Sequence, residues 1–103
     1  MITLTPAAAR QIRASAEQGD MQGLAMRIAA KRNPDGSLHY AMGFDDTRLD
    51  GDMHIDADGI EIVVSGHSQD LLEGMTVDYV EIEPDTFQFI FLNPNDANYS
   101  PPA

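Results

Sequence analysis

The segment DADGIEIVVSGHSQDLLEGMTVDYV, residues 56–80, decides the fold. Asp58-Gly59 is a strong signal for a two-residue hairpin turn, because both turn positions favour positive φ. On one side of it Met53 and Ile55 alternate with polar residues, and on the other Ile60, Ile62 and Val64 do the same. Period-two alternation predicts half-buried strands, so MHIDADGIEIVV reads as a hairpin. The next ten residues, SGHSQDLLEG, predict a short helical turn capped by Ser65, anchored by Leu71 and Leu72 and ended by Gly74. A strand, MTVDYVEIE, follows. Its apolar residues fall on both phases between 77 and 82, which predicts burial on both faces or a bulge near Tyr79.

Upstream, TPAAARQIRASAEQG carries helix punctuation, with Thr5 as N-cap, Pro6 at the first helical position and Gly19 past the end. Ala8, Ile12 and Ala16 form its inward stripe, and Arg10 and Arg13 are expected to face solvent. In GLAMRIAAK, Leu24, Met26, Ile28 and Ala30 share one face, with Arg27 and Lys31 on the other. The turn NPDG, residues 33–36, reverses the chain. Leu38, Tyr40, Met42 and Phe44 then face inward, giving a first hairpin. DDTRLDGD is expected to be a polar loop. Downstream, FQFIFL is the last strand, reached through a Pro84-Asp85 turn. The pattern predicts a β-rich α+β domain, a sandwich or partly closed barrel with an N-terminal helix and one short mid-chain helix. Residues 1–96 form the single domain and 97–103 a flexible tail, with the chain exposed after Asn95.

Hydrophobic residues make up 43% of the 103 positions, enough for a packed core without covalent staples. No cysteine is present, which excludes disulfides, thiol catalysis and thiolate-held metal within these residues. Charge is uneven: residues 1–48 hold all six basic and five acidic residues, while 49–103 hold twelve acidic and none basic. That balance opposes binding to nucleic-acid phosphates or anionic membranes, and suits solubility or an acidic face for a basic protein partner. No apolar run is long enough to span a bilayer, and MITLTPAAARQ lacks the basic-then-apolar order of a secretory signal, so a cytoplasmic location is expected.

Candidate chemistry is sparse. Asp50, Asp52, His54, Asp56, Asp58 and Glu61 suggest a calcium loop. With Gly59 at the sixth position, however, His54 falls at the first and Ser65 at the twelfth, where a bidentate Glu belongs. A polar hairpin with an acidic face is the expectation. His39, His54 and His67 have no metal-ligand spacing. Ser100 lacks a His/Asp context for a nucleophile, and no glycine-rich phosphate loop exists, so an enzyme is not expected.

The order of these features resembles the A-type iron–sulfur carrier, or HesB-like, family. The likeness runs over residues 2–96: the Thr-Pro helix, LAMRI, LHYAMGF, the segment quoted above with its Asp78-Tyr79-Val80, and Asn93-Pro94-Asn95 after an aromatic strand. It implies a HesB-like pseudo-barrel or sandwich. In that family three cysteines hold iron or a shared iron–sulfur cluster, commonly between subunits of a dimer or tetramer. Their positions match Asp35 in the first hairpin turn and Ser100 and Pro102 beyond Asn-Pro-Asn. Soft thiolates suit such clusters, whereas a serine hydroxyl is a poor ligand and a proline side chain offers none. The resemblance therefore implies no bound cofactor, a protein partner in iron–sulfur or sulfur metabolism, and a homodimer as the family's pattern of self-association. The alternative expectation is iron or another divalent ion held by Asp35, His39 and the acidic hairpin, with a partner supplying thiolates.

Overall fold

A computed structural model describes residues 2–47, 49–97 and 99. The chain runs β1 (Thr3–Leu4), α1 (Pro6–Gln18), β2 (Ala25–Arg32), β3 (Leu38–Asp45), β4 (Met53–Ala57), β5 (Ile60–Val64), a 3₁₀ turn (Gly66–Ser68), α2 (Gln69–Leu72), β6 (Thr76–Glu83) and β7 (Thr86–Leu92). The strands form a four-stranded sheet, ordered β3-β2-β5-β4, and a three-stranded sheet, ordered β1-β6-β7. This is the β-rich α+β class the pattern predicts.

Both expected hairpins form. β2 and β3 pair antiparallel from Ala25↔Asp45 to Arg32↔Leu38, and β4 and β5 from Met53↔Val64 to Ala57↔Ile60. Asp58 and Gly59 take φ of 54° and 80°, the two left-handed positions of a twist-matched hairpin turn. The hairpins join through parallel pairing of β2 with β5, Met26 opposite Ile62. One core lies between the sheets. Ile2, Leu4, Ala8, Ile12, Met26, Ile28, Ile62, Val64, Leu72, Met75 and Val77 are buried in it, with Tyr40, Phe44, Tyr79, Phe89 and Phe91 packed around.

Helix α1 starts and stops where its punctuation predicts. Thr5 Oγ1 accepts from Ala8 N at 3.2 Å and donates to Asp78 Oδ1 at 2.6 Å, tying the cap to β6. Ala8 and Ile12 face the core and Arg13 is exposed, as expected, but it is not unpartnered. It donates to the Asp58 carbonyl and lies 3.6 Å from that carboxylate, stapling the helix to the second hairpin turn.

Four further details differ from the pattern. Parallel pairing places Thr3 opposite Thr76, a two-residue strand too short to show alternation. The β6–β7 irregularity falls between Glu81 and Glu83 rather than near Tyr79; at 77–80 it is the other outcome, burial on both phases, that holds, with Val77 buried and Asp78, Tyr79 and Val80 half-buried. Leu24 is 38% exposed, since β2 begins only at Ala25. It lines an open groove of about 340 Å³ under the end of α1, with Ile12, Ala16, Met21, Phe44 and Ile60. Finally, the chain after Asn95 is not exposed throughout: Asp96 is half-buried, while Ala97 is exposed. Both bond to the first hairpin, as described next.

Candidate functional site

The first hairpin turn and the Asn-Pro-Asn segment, some sixty residues apart in sequence, meet in space. The turn is built from its own side chains. Gly36 N donates to Asn33 O at 3.0 Å, and Gly36 takes φ 89°, which its lack of a Cβ allows. Asp35 Oδ1 accepts from Ser37 Oγ at 2.6 Å and from Ser37 N at 3.0 Å. These bonds to the ionised form hold the Asp35 carboxyl below the usual carboxylate range, with the Ser37 hydroxyl the larger cause.

The second wall is the Asn-Pro-Asn segment. Asn93 is fully buried; its Nδ2 donates to Leu71 O at 2.7 Å and its Oδ1 accepts from Asn95 N at 3.0 Å. Asn95 Nδ2 reaches Leu71 O at 3.2 Å and Glu73 O at 2.8 Å. The two asparagines thus satisfy the carbonyls left orphaned at the end of α2. Pro94 packs against Gly74, whose φ of 79° turns the chain out of α2.

Three contacts clasp the walls together. Arg32 donates from Nη1 to Gly36 O at 2.6 Å and from Nη2 to Asn95 O at 3.1 Å. Asp96 accepts from Leu38 N at 3.3 Å and from the Tyr40 hydroxyl at 2.8 Å. Ala97 N donates to Gly36 O at 3.4 Å. The Tyr40 ring stacks on Phe91 with centroids 4.5 Å apart, so the hydroxyl is partly buried beside a carboxylate. Burial first, then the bond to Asp96, pushes its pKa up to about 12.

The site thus contains Asp35, one of the three matched ligand positions; Ser100 and Pro102 lie outside the described residues. One Asp35 oxygen is already committed to Ser37, the carboxylate is a hard donor, and proline offers no side-chain donor at all. This donor set does not fit a thiolate-bound cluster. The other candidates do not converge. Among the described residues no three His, Asp or Glu side chains group to hold a metal ion. His39 is exposed on β3, and His67 is exposed in the 3₁₀ turn. His54 Nδ1 lies 3.0 Å from Glu61 Oε2 across the second hairpin. The acidic run is dispersed likewise: Asp56 accepts from Gly59 N at 3.0 Å, Asp58 faces Arg13, and Asp52 turns inward.

Asp52 belongs to a second polar centre that alternation could not reveal. Arg27 uses all five of its donors there. Nε bonds Asp45 Oδ2 at 2.6 Å, Nη1 bonds Asp52 Oδ1 and Ser65 Oγ, both at 2.9 Å, and Nη2 bonds Asp52 Oδ2 at 2.8 Å and Thr47 O at 3.0 Å. The loop after β3 is thereby wrapped around an Arg27 side chain only 14% exposed. Ser65 serves this centre and makes no side-chain cap to the turn that follows it. Asp45 and Asp52 are both held down to about 2. Thr47 contributes most for Asp45 and Arg27 most for Asp52.

Comparison with known proteins matches this frame. The family model for iron–sulphur cluster biosynthesis matches residues 1–99. The iron–sulfur cluster insertion protein ErpA of Mannheimia succiniciproducens is 32% identical over 94 residues, covering 91% of this chain and 82% of that protein. The structure of IscA with its [2Fe-2S] cluster superposes with TM-score 0.79 at 28% identity, covering 94% of this chain and 88% of that one. Escherichia coli SufA, described as involved in biosynthesis of iron–sulfur clusters, gives TM-score 0.74 at 27% identity, covering 97% and 86%. With the fold, the Asn-Pro-Asn frame and the hairpin turn all in place, this chain belongs to the iron–sulphur cluster biosynthesis family.

Proposed function

We propose that this chain is a non-enzymatic, cytoplasmic accessory protein of iron–sulfur cluster assembly that works by binding other proteins and holds no cluster through side chains of its own. One observation carries the reading: a chain that the family model matches over residues 1–99, with the hairpin turn and the Asn-Pro-Asn frame in place, contains no cysteine. Asp35 supports it, because its carboxylate closes the turn rather than pointing two free oxygens at a ligand. Partners under this reading are proteins of iron–sulfur or sulfur metabolism, with self-association into a homodimer as the further contact that the family's pattern implies.

Anaerobic reconstitution with ferrous iron and sulfide, followed by visible absorption and metal analysis, tests the reading. Colourless protein without stoichiometric iron is the expected result. A coloured species with stoichiometric iron would overturn it and turn attention to Asp35 and His39 as ligands. Colour that develops only with a cysteine-bearing family partner present would place the thiolates on that partner.

A further inference from the structure

The β1-β6-β7 sheet ends on β7, whose outer edge pairs with no strand among the described residues. The strand reads TFQFIFL and carries no charge, proline or glycine across its seven residues. Natural edges usually carry such features, because a row of unpaired backbone groups templates another strand. The other edges here do carry them. β3 contains His39, Gly43 and Asp45, and Asp96 accepts its Leu38 amide; β4 contains His54 and Asp56; β1 has two residues. β7 is the exception.

Side chains on this strand also change character along its length. Phe91 and Phe89 pack against the core, while Phe87, next on the same face, is 51% exposed and held by stacking on Tyr79 with centroids 5.7 Å apart. Ile90 and Leu92, on the opposite face, are half-buried and lie outside the core cluster. Helix α1 packs mainly over β6. At the hairpin tip Ile82 is 50% exposed between Glu81 and Glu83, and Asp85 follows. Glu83 and Asp85 give the tip end of this edge an acidic rim, while Arg32, bonded to Asn95 O, lies beyond its other end.

We propose that the free edge of β7 binds an extended segment of a partner protein by strand addition, the segment alternating apolar residues with Lys or Arg. Backbone hydrogen bonds supply the register. Apolar residues of the added strand lie beside Phe87 and Phe89 on one face, and its cations lie on the other, beside Gln88 and Ile90, where Glu83, paired with Thr86, and Asp85 stand at the tip. Charge selects this occupant over a second copy. Each copy carries a formal charge of −11, so two copies repel, whereas a segment bearing Lys or Arg is attracted to the Glu83 and Asp85 tip. The inference rests on the protein-binding reading above and names the partner's chemistry.

The test uses three synthetic peptides of one length with the intact protein: alternating Val and Lys/Arg, alternating Val and Glu, and a scrambled basic peptide. Binding is followed by amide chemical shifts. The basic alternating peptide is expected to bind saturably, to shift alternate amides of residues 86–92, and to weaken with salt. Gln88→Lys with Ile90→Lys is expected to weaken it by roughly tenfold or more, since inserted lysines repel both the ligand and strand addition. Lys at position 90 faces Asp78 across the ladder, and an unchanged melting temperature shows that the variant folds. Gln88→Glu should tighten binding. Equal binding of all three peptides, shifts centred away from β7, or no binding would overturn the proposal. So would a dimer in sedimentation that Gln88→Lys with Ile90→Lys dissolves. None of these outcomes bears on iron reconstitution, so the two readings fail separately.

Discussion

Removing the Asn93 side chain should loosen the whole clasp between α2 and the first hairpin. Asn93→Ala deletes the donor to Leu71 O and the acceptor that receives both Asn95 N and Asn95 Nδ2. Leu71 O keeps one donor, from Asn95 Nδ2, but the Asn95 amide has no replacement in a half-buried position. Three lost bonds at about 1 kcal/mol each, adjusted for one stranded group and one surviving contact, give about 2–4 kcal/mol. A chain of this size holds about 5–15 kcal/mol in total. With a urea m-value of about 2 kcal/mol/M, the midpoint should fall by about 1–2 M. Hydrogen exchange should quicken at Asn95, Asp96 and Leu38, which depend on the position of the segment, and remain slow at Ile62 in the core. Asn93→Asp keeps the acceptor, loses the donor and buries a charge, so at neutral pH it should be at least as damaging. A midpoint shift below about 0.3 M in urea for Asn93→Ala, with exchange at Asn95 and Asp96 unchanged, would refute the assignment of the asparagine as the keystone.

Three other outcomes are expected. Asp45 and Asp52 have carboxyls lowered from 3.8 to about 2, so the stability they contribute is complete above 3.8 and is lost as pH falls through about 2. Asp52→Asn should flatten the melting-temperature curve in that window, and an unchanged slope would count against the Arg27 centre. The Tyr40 hydroxyl, raised to about 12, favours the folded state up to about pH 10 and less as pH rises through 12. Ultraviolet titration of the protein against Tyr40→Phe should show this, and Asp96→Asn should bring the value down while burial keeps it above ordinary. Combined Asp35→Cys, Ser100→Cys and Pro102→Cys should gain an iron–sulfide chromophore on anaerobic reconstitution that Asp35→Cys alone does not. No chromophore in the combined variant would mean that the scaffold has diverged beyond its ligands.

Alternation and turn chemistry were enough to read both hairpins, because each strand has one face in the core and each turn carries Pro-Asp-Gly or Asp-Gly. Helix α1 was legible from Thr5, Pro6 and Gly19 for the same reason: local backbone needs local residues. What escaped was non-local. Arg27 looks like any outward basic residue on β2 until the loop carrying Asp45, Thr47 and Asp52 wraps around it. Thr3–Leu4 has no periodicity to read and exists as a strand only because β6 lies alongside. At the candidate site, the family resemblance singled out Asp35's turn and Asn-Pro-Asn separately, and their meeting is a finding of the structure. The use of Asp96 and Arg32 to close it was not legible either, since single polar residues announce no partner. The one weak signal was Asp96 itself, the only charge after the last strand.

The Arg32–Asp96 clasp has a consequence for supply. A relative whose turn and tail are joined through a bound cluster gains stability only as that cluster is available, by mass action. Here the same two segments are joined by backbone and side-chain bonds that translation alone provides. On the cluster-free reading proposed above, the closed conformation has no term in iron, sulfide or oxygen concentration, and its population stays constant across the conditions under which cluster carriers fill and empty.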